Sequence, residues 1–221
     1  MSEDKKPQVP AAQSARMYQL KITLRHIKPP IWRRLLVRGD TNLGLLHAII
    51  QVSMGWTNSH LHQFIVGSRT YSDPVFELGA DFGGPRVLDE KKTTLMQIAP
   101  REKARFAYEY DFGDGWEHLI TVEKIVEQGA SSAPDLIRGE CTGGARACPP
   151  DDCGGPFGYP DFLEILRNSR HEEHESMMEW VGGEFDPEAF DSDRINKYLR
   201  KLKWPQTTIS QLARVLAQMW G

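Results

Sequence analysis

The chain has 221 residues, 40% of them hydrophobic, and a formal net charge of −3. That length allows one sizeable core with an extension, and a near-neutral balance gives no global electrostatic support for nucleic-acid binding. No apolar run approaches the roughly 20 residues of a membrane span, and the first residues lack the charged-then-apolar profile of a secretion signal, so a cytoplasmic location is expected.

In chain order, residues 1–16, "MSEDKKPQVPAAQSAR", are polar and aperiodic and read as a disordered leader. In "YQLKITLRHI", Leu20, Ile22 and Leu24 alternate with Lys21, Thr23 and Arg25, the period of a strand. Lys28-Pro29-Pro30 interrupts it because proline cannot donate to a ladder, and "IWRRLLVRG" resumes as a second strand. The period then changes. Leu43, Leu46, His47, Ile50 and Met54 recur at three- and four-residue spacing between a Thr41 N-cap and Gly55, which predicts the first helix. "HLHQFIVGSRTYSD" returns to alternation around a Gly67-Ser68 reversal. A Gly- and Pro-bearing loop, "FELGADFGGPRVLDE", leads to one helical turn in "TTLMQIAP", starting at Thr93 or Thr94.

Residues 106–122, "FAYEYDFGDGWEHLITV", form a hairpin around Gly113-Asp114-Gly115, whose glycines supply the positive φ angles of a tight reversal. Pairing Phe112 with Trp116 would set Tyr110 opposite His118 and Asp111 opposite Glu117. The element order predicts an α+β fold over 17–128, a β-grasp-like mixed sheet packed on one main helix, with a later strand parallel to the first. Residues 129–160 read as an ordered Gly/Pro/Cys-rich loop, and 161–221 as a helical extension packed on that core. Its helices run from Pro160 to about Asn168, over roughly 171–181 up to Gly182-Gly183, from Asp186-Pro187 with Phe190, Ile195, Tyr198 and Leu199 on one side, and through "TISQLARVLAQMW".

Three groups of residues carry candidate chemistry. Lys21, Arg25, Trp32, Arg33, Arg34 and Arg38 lie in a stretch without a single carboxylate, a composition that suits phosphate contacts and base stacking. The competing reading buries Trp32 and pairs the arginines with the acidic C-terminal part. His60 and His62 stand two apart on a predicted strand and leave the same face, so with Asp111, Asp114 or His118 they would make a cation site able to activate water. Cys141, Cys148 and Cys153 are reduced thiols or zinc ligands, with six and four residues between them; a structural zinc would need a fourth ligand. Otherwise Cys148 is a small buried residue in a loop closing over the hairpin. "HEEHE" misses the zincin pattern, because His171 would need a histidine at position 175 and finds Glu175. No phosphate-loop, dinucleotide or nucleophile-elbow motif occurs.

Taken together, "PPIWRRLLV", "LHAIIQVSMGW", "HLHQFIVG", "YEYDFGDGWEHLI" and "CTGGARACPPDDCGGPFGYPDFLEIL" resemble the plasmid pRiA4b ORF-3-like family over about residues 17–200. That family occurs in bacterial and archaeal genomes and some mobile elements and is biochemically uncharacterised, so the resemblance implies work on or near DNA without naming a reaction. Its pattern does not require Cys153, which weakens a three-cysteine metal site. The expectation is a binding module for nucleic acid or a partner protein, contacting it through the basic hairpin. The alternative is a metal-dependent hydrolase, such as a nuclease, using His60, His62, Asp111, Asp114 and His118. A third reading is a scaffold locked by loop 140–160.

Overall fold

The computed structural model describes residues 16–76, 78, 87–127, 139–203 and 205–220. The predicted leader (apart from Arg16), the middle of the 76–90 loop and the start of the 129–160 segment lie outside the described residues. Among those described, eight strands form one sheet: β1 (Arg16–Leu24), β2 (Trp32–Arg38), β3 (His62–Val66), β4 (Arg69–Ser72), β5 (Leu88–Asp89), β6 (Arg105–Tyr110), β7 (Trp116–Glu127) and β8 (Glu140–Ala145). Their spatial order is β5-β4-β3-β6-β7-β1-β2-β8. A β-grasp places a parallel strand beside β1; here β1 is flanked by β2 and β7, both antiparallel, and the parallel pair is β4–β5. Strand periodicity carries no direction, so element order alone does not reveal this.

α1 (Leu43–Met54) covers one face of the sheet and is buried at every position but Gly44. A helix apolar on all sides must be enclosed on all sides, and α5 (Ser192–Leu199) and α6 (Ile209–Trp220) pack against α1. Its N-cap is Asn42 rather than Thr41: the Asn42 side chain accepts from the Leu45 N–H at 2.8 Å. Gly55 closes it in the left-handed region with φ 92°. The helical turn α2 (Leu95–Ile98) starts at Thr94, whose N–H bonds the Gln97 side chain. One hydrophobic cluster runs from Tyr18 through α3 (Gly155–Arg167) and α5 to Met219.

The central hairpin pairs Tyr110 with Trp116, Tyr108 with His118 and Glu109 with Glu117, two residues away from the predicted register. The connection is wider than three residues because Asp111 itself turns: its φ is 58°, and its Oδ1 accepts from the N–H groups of Gly113 and Asp114. A slip of two preserves every face. Tyr108, Tyr110, Trp116 and His118 are therefore all fully buried as expected, while Phe112 is left on the surface.

The predicted irregular loop contains β8, an edge strand whose Gly144 admits no side chain, since a Cβ there would lie 2.3 Å from the Phe190 ring. Pairing with β2 makes it a strand against its composition. Asn196 of α5 then occupies its outer edge, accepting from the Cys141 N–H at 2.7 Å and donating to its carbonyl at 3.0 Å. The C-terminal helices appear with shifted starts, the first earlier than expected and the next two later. α3 begins at Gly155 and holds Pro160 inside it, α4 (His174–Trp180) omits His171, and α5 is capped by Asp191.

Candidate functional site

The four arginines of the basic stretch are engaged within the fold. Arg33 shares the inward face of β2 with Leu35 and Val37 and is 3% exposed. Its guanidinium donates to the carbonyl oxygens of Ser53, Trp32 and Ala145 at 2.8, 2.9 and 3.0 Å and lies over the Phe190 ring. Burial lowers its pKa. On the outward face Arg34 forms a bidentate pair with Glu123, which raises the arginine and holds the glutamate below its usual range. Lys21 and Arg34 each lie 5.0 Å from the Trp32 ring centre, so the ring already meets cations of the fold itself. Arg25 pairs with Glu117, and Arg38 with Asp40.

The concave feature is elsewhere. A cleft of about 780 Å³ opens between the N-terminal half of α1, the segment entering β3, the β6–β7 turn and the start of α6. Buried polar groups are concentrated at its floor. His47, from the middle of α1, stacks on His62 at 3.5 Å with the rings 6° from parallel. Hydrogen bonding assigns the His47 tautomer: Nε2–H donates to Asn58 Oδ1 at 2.7 Å and Nδ1 accepts from the Tyr108 hydroxyl at 2.8 Å. Gln51 closes the circuit, donating to Tyr108 Oη and accepting from the Asn58 N–H. Burial, with His62 adding to it, pushes His47 down to about 3 and keeps it neutral.

His62 meets Glu90 through Nε2 at 2.8 Å, and its Nδ1 has no hydrogen-bond partner among the described residues. Burial acts on both: His62 falls to about 3 and Glu90 rises to about 7. When Glu90 is ionised, His62 Nε2–H donates and Nδ1 is an open acceptor. When Glu90 is protonated, it donates and Nδ1 carries the hydrogen. The carboxyl state thus sets what the open nitrogen presents. Beside the pair, Lys91 Nζ lies 2.6 Å from Asp73; burial acts upward on that carboxyl, but the ammonium and the Val75 N–H together outweigh it and leave Asp73 below its usual range.

Of the predicted metal ligands, the fold brings His60 and Asp111 together and adds Asp152, with one ligand atom from each lying within 4.8 Å of the others. His60 precedes β3 rather than belonging to it, but lines the same cleft as His62. Asp114 sits in the β6–β7 turn, and burial raises its pKa. His118 is a core residue: fully buried, donating through Nδ1 to the Tyr108 carbonyl, edge-on to Trp56, and lowered to about 4 by burial. Among the described residues the three cysteines do not converge on a ligand cluster. Burial pushes all three thiols upward, Cys153 to about 12.

Sequence reasoning passed over Glu90, Asp73, Lys91 and Asp152. Glu90 stands in "LDEKK", where every polar residue looks solvated, and it is 2% exposed. His47 was visible as a member of the helix's apolar stripe.

The family model described as plasmid pRiA4b ORF-3-like protein matches residues 16–194. The uncharacterized protein y4hQ of Sinorhizobium fredii (strain NBRC 101917 / NGR234) is 38% identical in an alignment of 194 residues that covers 86% of this chain and 95% of that protein. The crystal structure of MM3350, a protein of unknown function from Methanosarcina mazei Go1, aligns with a TM-score of 0.68 at 33% identity, covering 82% of this chain and 98% of that one. No helix among the described residues is long and apolar enough to cross a membrane.

Proposed function

We propose, from the premise that this chain belongs to the plasmid pRiA4b ORF-3-like family, that it is a binding module whose ligand site is the cleft and not the basic strand. The ligand enters by an ammonium or guanidinium group, carried by a free amine or by a basic side chain of a partner protein. What carries this reading is Glu90, a carboxyl kept at the base of a cleft and held by His62. Asp73 and Asp111 also line the cleft, against a lysine already committed to Asp73. Such a lining attracts a cationic donor and repels phosphate. A volume of about 780 Å³ accommodates a group of this size together with part of whatever bears it.

The test is an amide chemical-shift titration of chelator-treated protein with agmatine, with the peptide acetyl-Gly-Arg-Gly-amide, and with AMP as the anionic control. Agmatine alone binding identifies a free amine, and peptide binding at least as tight identifies a partner's arginine. With Glu90 near 7, its ionised fraction rises from about 0.09 at pH 6 to about 0.91 at pH 8, so affinity should rise roughly tenfold between them. Glu90→Gln should remove both the affinity and its pH dependence. Preference for AMP, or binding indifferent to Glu90→Gln, overturns the reading.

A further inference from the structure

We propose that His60, Asp111 and Asp152 form a site for one divalent transition-metal ion taking nitrogen and oxygen ligands, Mn²⁺ or Zn²⁺. The site lies at the edge of the cleft, and the proposal does not rest on what the cleft binds.

The three residues come from segments far apart in sequence, each fixed by its own bonds. Asp111 is buried, and its Oδ1 is held by the N–H groups of Gly113 and Asp114, which leaves Oδ2 outside any hydrogen bond among the described residues. His60 follows a segment pinned at Thr57, whose N–H and hydroxyl both donate to Asp151 Oδ2. Those bonds dock the loop that carries Asp152, and Trp56 Nε1 donating to the Pro149 carbonyl secures it further back. Gly155 seats its far end directly on the hairpin, where a Cβ would lie 2.1 Å from the Asp114 carbonyl oxygen.

The second observation is what the converging groups fail to do. His60 Nδ1 stands 3.6 Å from Asp111 Oδ1, and Nε2 stands 3.3 Å from Asp152 Oδ1. Yet Nε2 is a buried atom that makes no hydrogen bond among the described residues. Acceptors facing an imidazole at such distances without bonding it have the spacing of ligands around an ion. Tetrahedral ligands about 2.1 Å from a metal stand about 3.4 Å from one another. One imidazole nitrogen binds, so one carboxylate must turn toward it. Asp152 is able to do so, since its side chain is 69% exposed while Asp111 is fixed. One imidazole with two carboxylates is a borderline-to-hard donor set, suited to Mn²⁺ and Zn²⁺ and unsuited to ions that need thiolate.

Titration of chelator-treated, untagged protein with MnCl₂ at pH 7, followed by calorimetry and by paramagnetic broadening, tests the site without interference from the cysteines. One equivalent is expected, with amide signals broadened around residues 60, 111 and 152. His60→Gln and Asp152→Asn should each weaken binding at least about tenfold, and Asp161→Asn, an exposed carboxylate on α3, should leave it unchanged. Asp152→Asn alters an exposed side chain and does not put folding at stake. No binding up to about 1 mM, which leaves His60 bridging two carboxylates and nothing more, overturns the proposal. So does binding indifferent to His60→Gln and Asp152→Asn. Glu90→Gln should keep the metal and lose agmatine, so failure of one assignment is visible separately from failure of the other.

Discussion

Two adjacent arginines of β2 should differ sharply in what they contribute to stability. Arg33→Met keeps an unbranched apolar stem and removes the guanidinium, leaving the carbonyls of Ser53, Trp32 and Ala145 without that donor in a buried setting. Hydrogen bonds to a charged group contribute about 1.5–3 kcal/mol each, so three come to roughly 6 kcal/mol. Against this, a guanidinium with no carboxylate bonded to it no longer has to be desolvated, which returns several kcal/mol. The net expected loss is about 3 kcal/mol, a large share of the roughly 5–15 kcal/mol that holds a domain folded. Arg34→Met breaks a bidentate pair with Glu123 whose two side chains are 32% and 24% exposed, and such pairs contribute up to about 1 kcal/mol. Urea denaturation of both variants at constant m-value measures the difference. Equal losses, or a larger loss at Arg34, would refute the burial argument. Charge reversal at Arg33 is for the same reason no clean test of phosphate binding, because it also orphans these three carbonyls.

Stability should also fall in acid. His118, His47 and His62 are held near 4, 3 and 3 in the folded chain, against about 6.5 when unfolded, while Glu90, near 7 when folded against about 4.3 unfolded, acts in the opposite sense and offsets one of them. Below pH 6.5 the unfolded state therefore binds a net two protons more than the folded state, and stability decreases as pH drops, by up to about 2.7 kcal/mol per pH unit. Urea curves between pH 7 and 4.5 should show this slope, and His118→Gln should remove about half of it; an unchanged slope would mean that His118 is not buried neutral. At the loop junction, Gly155→Ala forces a Cβ against the Asp114 carbonyl at φ 67°, whereas Gly182→Ala, at φ 82°, meets nothing within 4 Å. Thermal melts should show a loss above about 2 kcal/mol for the first and about 1 kcal/mol for the second, and equal losses would mean that the loop is not seated on the hairpin.

What could be read from the chain followed from local periodicity, and what could not depended on distant partners. Leu20, Ile22 and Leu24 alternate, α1 repeats every three to four residues, and both patterns report burial directly. The same parity rule puts Arg33 with Leu35 and Val37, so its burial was written in the alternation; its charge argued the other way, and no local signal announced the three carbonyls that receive it. The hairpin register was displaced because Asp111 takes a left-handed backbone, which the residue type permits without requiring. Since the displacement was even, His62, Tyr108, Tyr110 and His118 kept their faces, and predictions about which side chains share a surface held while predictions about which residues pair did not. Glu90 and Asp152 represent a further degree of difficulty. Glu90 is enclosed because His62 and the start of α1 reach it across the sheet edge, and Asp152 meets His60 because Asp151 bonds Thr57. Neither residue has a partner near in sequence, so no window of residues holds the information. A site assembled in this way becomes visible only after the topology has folded distant segments into contact, and Glu90 and Asp152 are the positions at which to look for function.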